Sequence, residues 1–339
     1  MNRFGSTGTD WLYGTDGADF IMGLEGGDYL YGGEGDDVLV GGAGTDVLMG
    51  GDAYFHDATD DHDLAAYWDS PTGVIVYLST GTGYGGTAEG DTLVDIEGLI
   101  GSEYDDVLGG NSQANDLLGG GGADYLFGGD GDDLLEPGSG IDVVDGGADN
   151  DTVNYYHSPT GVRASLLSGG ATGDAAGDIY LEVENLVGTP FSDDLQGNNS
   201  SNLLRGNEGN DLLSGEGGDD QLWGGEGIDT LTGGAGADTF IFRSTGETGA
   251  IIATADLITD FDASLDQIDL HRIDANTKAG GDQAFEFVGM ADFTAPGQVR
   301  WSIEGSETVV WINTDWDMAA DAAIRIADAP LLGTYHFVL

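Results

Sequence analysis

From Gly5 onward the chain repeats a nine-residue pattern in which glycines and an aspartate precede a short apolar segment. Positions 1, 2 and 4 of each repeat favour glycine, position 6 favours aspartate and position 8 is apolar. This pattern predicts a six-residue turn followed by a three-residue strand, because alternation along a strand directs the position-8 side chain inward. A period sustained over many repeats is typical of a stacked solenoid.

The repeats fall into three blocks of six, which begin at Gly5, Gly101 and Gly188. The step of nine is unbroken within each block, although a loop interrupts the repeat that opens at Gly50. Two repeats make one 18-residue coil with a turn on each side. The chain is therefore expected to be all-β, a parallel β-roll or β-helix solenoid built of 18-residue coils.

Two segments that resemble each other join the blocks, and both contain Ser-Pro-Thr-Gly-Val, at residues 70–74 and 158–162. We interpret them as structural spacers, with a carbohydrate- or partner-binding surface as the alternative. After Phe242 the repeats stop, and a mainly β C-terminal domain with one helix near residues 318–329 is expected. The predicted organisation is repeat block 1 at 1–66, a spacer at 67–100, block 2 at 101–154, a spacer at 155–187, block 3 at 188–242 and the C-terminal domain at 243–339.

The aspartates at position 6 predict a calcium-binding function. Turns of repeats i and i+2 stack on the same side of the roll, one strand spacing of about 4.8 Å apart. A shared cation would neutralise carboxylates that lie so close together. Ca²⁺ takes about six to eight oxygen ligands from carboxylates and carbonyls, and oxygen ligands without His or Cys favour it over zinc or copper.

The repeat spacing identifies the candidate ligands and their stacked pairs. Nine pairs consist of aspartates only, and Asn115 and Asn202 replace Asp in two further pairs, with Asp133 and Asp220, whose sites are expected to be weaker. The alternative is a set of glycine-rich turns that bind no metal. Roughly ten Ca²⁺ ions are expected, held by Asp10, Asp19, Asp28, Asp37, Asp46, Asp106, Asp124, Asp133, Asp142, Asp151, Asp193, Asp211, Asp220, Asp229 and Asp238.

The charge balance supports a cationic partner and argues against others. The chain has 62 Asp and Glu against 8 Lys and Arg, a net charge of −54. Such a chain is repelled by nucleic acid and by anionic lipid headgroups. It has no cysteine and no apolar run long enough for a membrane span, and its first residues lack the apolar stretch of a secretory signal peptide. These features alone would suggest a cytosolic protein.

The repeats resemble those of the RTX (repeats-in-toxin, hemolysin-type) calcium-binding proteins. GGEGDDVLV at 32–40 and GGAGTDVLM at 41–49 match the nonapeptide of that family at every defined position. ADTFIF at 237–242 and DLITDFDASLDQIDLHRIDA at 256–275 are similar to the C-terminal domain of serralysin-type proteases. The resemblance implies a β-roll that folds on binding Ca²⁺. It also implies export by type I secretion machinery through an uncleaved C-terminal signal, so the protein is expected to be secreted or associated with the cell surface.

The sequence shows no catalytic motif of the related enzymes. The repeats begin at Gly5, so no protease domain is expected before them, and the chain contains neither HExxH nor GxSxG. We therefore expect a protein that is not an enzyme and has a structural or interaction role, with a surface polysaccharide or self-association as further partners. The alternative is an extracellular enzyme with an unrecognised site in the spacers or the C-terminal domain. The loop after Gly50 contains His56 and His62, and two interpretations of it remain open. It is either a transition-metal site or a solvated acidic loop or modified calcium turn.

Overall fold

The structure is a computed structural model that describes residues 1–51, 62–278, 280–281, 283–328 and 330–339. Across these residues it consists of short strands and four 3₁₀-helices, with no α-helix, and the strands form long, mainly parallel sheets. The predicted all-β roll is confirmed. No helix in the described part of the chain has the length and apolar character to cross a membrane.

The chain forms two compact units. Unit 1 comprises Met1–Tyr155 and Gly169–Val183, and unit 2 comprises Tyr156–Ser168 and Glu184–Leu339. The second predicted spacer, at 155–187, is thus divided between the two units. The boundaries of the repeat blocks and spacers remain predictions from the sequence.

Unit 1 is built of two sheets to which successive repeats contribute strands in alternation. In spatial order the first sheet contains Asn2–Phe4, Phe20–Glu25, Val38–Ala43, Leu64–Ala66, Gly98–Ile100, Asp116–Leu118, Leu134–Glu136 and Thr152–Asn154. The second contains Trp11–Tyr13, Tyr29–Tyr31, Val47–Met49, Thr92–Val94, Thr82–Tyr84, Ile75–Tyr77, Val107–Gly109, Tyr125–Asp130, Val143–Ala148 and Ile179–Leu181. A small pair, Gly121–Gly122 with Ser139–Gly140, and the 3₁₀-helices Gly86–Ala88 and Gly173–Ala175 complete the unit.

The first spacer continues the sheets of unit 1. Thr92–Val94 pairs in parallel with Val47–Met49 of block 1, and Ile75–Tyr77 pairs in parallel with Val107–Gly109 of block 2. Thr82–Tyr84 lies between the two spacer strands and is antiparallel to both. The spacer therefore inserts a hairpin into the roll without ending the stack.

Unit 2 is also built of two sheets. Its first sheet contains Asn185–Val187, Leu203–Gly209, Gln221–Gly227, Thr239–Ile241, Gln267–Asp269 and Phe337–Val338. Its second contains Arg163–Ser165, Asp194–Gln196, Leu212–Ser214, Thr230–Thr232, Asp256–Ile258, Ala322–Ile326, Glu307–Asn313, Gln298–Glu304 and Glu286–Gly289. The 3₁₀-helices are Ile252–Thr254 and Thr334–His336.

The helix predicted near residues 318–329 is wrong, because Ala322–Ile326 is a strand. It pairs in parallel with Asp256–Ile258 and antiparallel with Glu307–Asn313. Four of its five side chains are fully buried in this position, Arg325 being the exception. Pairing on both sides together with burial overrides the local helix propensity of the alanines.

The core is a column of position-8 side chains. Almost all of them are fully buried, and burial of one such side chain contributes about 1.5–3 kcal/mol to folding. Leu12 is an exception because its strand lies at the edge of its sheet. The fully buried column comprises Ile21, Leu30, Leu39, Leu48, Leu108, Leu117, Leu126, Leu135, Val144, Val153, Leu195, Leu204, Leu213, Leu222, Leu231 and Phe240.

Candidate calcium sites

The position-6 side chains are joined into ladders that run along the roll. In each stacked pair, the backbone N–H of one aspartate donates to Oδ1 of the aspartate one coil later, for example at 2.7 Å from Asp10 to Asp28. The structure brings together all nine all-aspartate pairs in this way. They are Asp10/Asp28, Asp28/Asp46, Asp19/Asp37, Asp106/Asp124, Asp124/Asp142, Asp133/Asp151, Asp193/Asp211, Asp211/Asp229 and Asp220/Asp238.

Nine of these aspartates keep a second carboxylate oxygen, Oδ2, that is buried and accepts no hydrogen bond from the described residues. An ionised carboxylate is a pure acceptor, and a buried acceptor without a donor loses its hydration without compensation. We call the turns that carry these oxygens open turns. They belong to Asp28, Asp46, Asp124, Asp133, Asp142, Asp211, Asp220, Asp229 and Asp238.

In eight of the nine open turns position 1 is a glycine, whose missing side chain keeps the space beside the carboxylate free, whereas the turn of Asp142 has Pro137 there. A Cβ added at Gly23 would meet Oδ2 of Asp28 and would lie 2.6 Å from the carbonyl oxygen of Gly41, one coil later. A carboxylate and a carbonyl oxygen thus converge on a space that any larger residue would fill. This all-oxygen donor set fits Ca²⁺.

The open turns share a backbone conformation at position 2. In all nine open turns the residue at position 2 has a positive φ, for example 100° at Gly120 and 101° at Gly234. Glycine adopts this conformation without steric cost. Leu24, Asn207 and Glu216 occupy the same position with φ of 82°, 83° and 74°.

The first two turns of each block are closed by the chain itself. Their position 2 is Ser, Thr or Asn, and its backbone N–H donates to the position-6 side chain of the same turn, as from Ser6 to Asp10 at 2.6 Å and from Thr189 to Asp193 at 2.7 Å. We call these capped turns, because a protein donor already satisfies the oxygen that is orphaned in an open turn. Their position-6 residues are Asp10, Asp19, Asp106, Asn115, Asp193 and Asn202.

The two asparagines of the ladders supply hydrogen-bond donors of their own. The amide of Asn115 donates to the carbonyl oxygen of Glu97 at 2.9 Å, and that of Asn202 donates to the carbonyl of Glu184 at 2.7 Å. Both asparagines still pair with the following aspartate through their backbone N–H groups. An asparagine turn therefore brings its own donor and adds no negative charge.

Five aspartates outside the predicted set extend the ladders. The spacing rule missed them because loops separate them from their partners, yet each lies two residues before a residue of a strand. The short motif of Asp, any residue and an apolar residue, as in Asp256 to Ile258, is the signal that identifies most of them. The added pairs are Asp37/Asp63, Asp46/Asp91, Asp142/Asp178, Asp229/Asp256 and Asp238/Asp266, with N–Oδ1 distances of 2.8–3.0 Å.

One of these added members has an internal donor. The hydroxyl of Tyr155 donates to Oδ2 of Asp178 at 2.6 Å, and the hydroxyls of Tyr155 and Tyr180 also lie 2.6 Å apart. Tyr155 is buried at the start of the second predicted spacer. A tyrosine hydroxyl thus occupies the position where an open turn presents a bare carboxylate oxygen.

The ladder carboxylates are hard to ionise in this environment. Burial, opposed by the backbone N–H of Asp106 and aided by the charges of Asp106 and Asp142, raises the pKa of Asp124 to about 8. Burial likewise raises the pKa of Asp211 to about 8 and that of Asp133 to about 7. At neutral pH these groups therefore need either a proton or a cation.

The histidine loop gives no further support for a transition metal. His56 lies outside the described residues, and His62 Nε2 lies 3.0 Å from Asp116 Oδ2. Within the described ranges no three His, Asp or Glu side chains are placed to hold a metal by themselves. An ion in the aspartate turns would therefore take part of its ligands from backbone carbonyls.

Comparison with known proteins identifies two family models in the chain. RTX calcium-binding nonapeptide repeat (4 copies) matches residues 4–39, and peptidase M10 serralysin C terminal matches residues 28–335. The resemblance to RTX repeats, and with it calcium binding as a property of these repeats, is confirmed. A search of curated protein sequences finds no significant match.

The chain is also similar to solved structures of repeat proteins. The AlgE6R3 and AlgE6R2 subunits of the mannuronan C5-epimerase of Azotobacter vinelandii are 27% and 28% identical to it, with TM-scores of 0.33 and 0.34. The alignments cover 44% and 46% of this chain and 78% and 92% of those chains. The extracellular lipase LipA of Serratia marcescens is 19% identical, with a TM-score of 0.28 over 69% of this chain and 40% of the lipase.

These comparisons correct the prediction that the chain is not an enzyme. The similar AlgE6R3 and AlgE6R2 chains are subunits of a mannuronan C5-epimerase, which is an enzyme. The lack of HExxH and GxSxG therefore does not place the chain outside enzymes. The serralysin C-terminal model spans residues 28–335, most of the sequence, and the chain belongs to the peptidase M10 serralysin C-terminal family.

Proposed function

We propose that this protein is exported unfolded and that its roll folds outside the cell when Ca²⁺ binds to the aspartate turns. The observation that supports this most directly is the set of nine buried Oδ2 atoms without a hydrogen-bond donor in the described residues, at Asp28, Asp46, Asp124, Asp133, Asp142, Asp211, Asp220, Asp229 and Asp238. Eight of the nine lie beside the position-1 glycine of their own turn, the exception being Asp142, whose turn begins with Pro137. With the added ladder members, roughly ten ions are expected.

The chain's own groups account for the coupling of folding to calcium. The position-6 carboxylates and nearby backbone carbonyls would hold the ion, which supplies positive charge between stacked aspartates. Without it, the net charge of −54 opposes compaction. Because the turns assemble only in the folded roll, the free energy of binding becomes free energy of folding.

Calcium levels on the two sides of a membrane would set the direction of this switch. Extracellular calcium modules bind with Kd of about 10⁻⁴–10⁻³ M, so they are empty in the cytosol and filled outside. The match to the serralysin C-terminal model supports export through type I secretion machinery. The partners in this proposal are Ca²⁺ ions and that export machinery.

A calcium titration followed by far-UV circular dichroism tests the proposal, with Mg²⁺ as the matched control. We expect β-structure to form cooperatively near millimolar Ca²⁺ and not with Mg²⁺, which prefers a rigid octahedral site and keeps its waters. Calorimetry in parallel should give roughly ten ions per chain. A chain that is fully folded in excess chelator at pH 7 would contradict the proposal.

A further inference from the structure

Basic side chains are scarce in this chain, and three of its seven arginines form ion pairs with carboxylates. There are only 8 Lys and Arg residues against 62 acidic ones. Three arginines form ion pairs of 2.6–3.0 Å, which are Arg163 with Asp194, Arg300 with Asp292 and Arg325 with Glu307.

Arg205 and Arg243 of unit 2 are placed differently. Their guanidinium carbons lie 4.1 and 3.6 Å from the centroid of the Trp223 ring. Two guanidinium groups cannot share one ring face at these distances, so the indole is held between them. Neither arginine makes an ion pair with a residue that the structure describes, and the Nε atom of each is buried without a hydrogen-bond partner there.

The alternation of side chains along the strands places this cluster on the side of the sheet that faces away from the core. Arg205 and Trp223 are paired in register on neighbouring strands of the first sheet of unit 2. The preceding residues, Leu204 and Leu222, are fully buried, so alternation places Arg205 and Trp223 on the outer face. Arg205, Trp223 and Arg243 are each partly exposed.

Nearby carboxylates offset part of the positive charge of the cluster, since Glu247 acts on both arginines and Asp269 acts on Arg243. Burial lowers the pKa of Arg205, and the charge of Arg243 lowers it further. Burial also lowers the pKa of Arg243, as does the charge of Arg272. The nearby Glu247 carboxylate accepts the backbone N–H of Arg243 at 2.7 Å, and its charge offsets only part of this repulsion. Stacking on an indole stabilises a cation without cancelling its charge.

We infer that Arg205, Trp223 and Arg243 form a binding site for an oxyanion, a carboxylate or a sulfate-like group, on the outer face of unit 2. A guanidinium group presents a planar fork of donors that matches such groups. The indole fixes both forks in place, so little side-chain freedom is lost when the ligand binds. Bound oxyanion also removes the repulsion between the two arginines.

Isothermal titration calorimetry on the calcium-loaded full chain tests this site. Sodium sulfate and disodium succinate serve as separate probes at constant ionic strength, so that the two sources of oxyanion are distinguished. The variants are Arg205→Gln and Arg243→Gln. Arg163→Gln is the matched control, since Arg163 lies in the same unit and its side chain is 65% exposed in an ion pair.

Saturable binding of either probe to the wild type and to Arg163→Gln, with about tenfold weaker binding in each site variant, would support the site. Absence of saturable binding of both probes to the wild type overturns the proposal, even if a variant does not fold. Unchanged affinity in Arg205→Gln and Arg243→Gln overturns it as well. Circular dichroism of each variant in calcium separates loss of the site from loss of the fold.

Discussion

Replacement of Asp124 by asparagine should stabilise the calcium-free roll and reduce the stability that the roll gains from calcium. Asp124 is fully buried, its Oδ1 accepts the N–H of Asp106 at 2.8 Å, and its Oδ2 has no donor in the described residues. Asparagine has nearly the same shape and keeps an acceptor for that N–H. It removes one negative charge between Asp106 and Asp142.

The magnitude follows from the pKa of the carboxyl group. Burial raises the pKa of Asp124 from 3.8 to about 8, so in the calcium-free roll at pH 7 this group binds a proton. Taking up that proton costs about 4 kcal/mol, at about 1.4 kcal/mol for each pH unit between the unfolded pKa and pH 7. The variant does not carry this cost. In calcium it loses a carboxylate ligand, and loss of one ion at 100 times its Kd corresponds to about 2.7 kcal/mol.

Two titrations followed by circular dichroism measure these effects. In the calcium titration, Asp124→Asn should have a shallower transition than the wild type, because it takes up fewer ions when it folds. In chelator, acid titration should form β-structure at a higher pH in the variant, because one fewer carboxylate must be protonated. Asp130→Asn is the control, since Asp130 is an exposed carboxylate at position 3 of the next repeat. A variant that is destabilised equally with and without calcium would refute this reasoning.

Four further outcomes are expected. In chelator, lowering the pH from about 8 to about 4 should stabilise the wild-type roll. A carboxyl group with a raised folded-state pKa destabilises the fold increasingly as the pH rises through this window. The result that would contradict this is circular dichroism that shows no gain in β-structure as the pH falls. Asn202→Asp should destabilise the calcium-free roll by about 1–3 kcal/mol, because the amide donor to the carbonyl oxygen of Glu184 is lost. It should also increase the number of bound calcium ions measured by calorimetry. Asp256→Asn should lower the number of calcium ions bound per chain, as measured by calorimetry, because Asp256 continues the ladder from Asp229. Tyr155→Phe should leave Asp178 Oδ2 without its donor. The free energy of unfolding in calcium should then fall by about 1–3 kcal/mol, or calorimetry should show one additional bound calcium ion.

The regular part of the fold follows from the sequence because its geometry is periodic. Strands 18 residues apart must pair when every coil has the same length, so a pair such as Asp124 and Asp142 can be read from spacing alone. The register Tyr125 with Val143 shows the same step of 18 residues. Local turn chemistry and the coil length are sufficient to predict these contacts.

Where loops enter the coil, spacing no longer predicts the partner. Asp91, Asp178, Asp256 and Asp266 follow their ladder partners by 45, 36, 27 and 28 residues. The inserted residues change the distance along the chain but not the distance in space. Prediction of these pairs requires knowledge of which strand neighbours which. The same reason explains the error at Ala322–Ile326, whose strand is determined by pairing with distant segments.

The order of capped and open turns indicates which parts of the roll require calcium. The first two turns of each block close on their own backbone N–H groups, as at Ser6 and Thr189, and two of them carry asparagine amides that donate to the preceding coil. Such turns can form without a cation, since their polar groups are already paired. The open turns that follow have positive φ at position 2 and a carboxylate oxygen without a donor in the described residues. Each block therefore begins with turns that can form without an ion and continues with turns that require one. We expect calcium-dependent folding to proceed along each block from its capped turns.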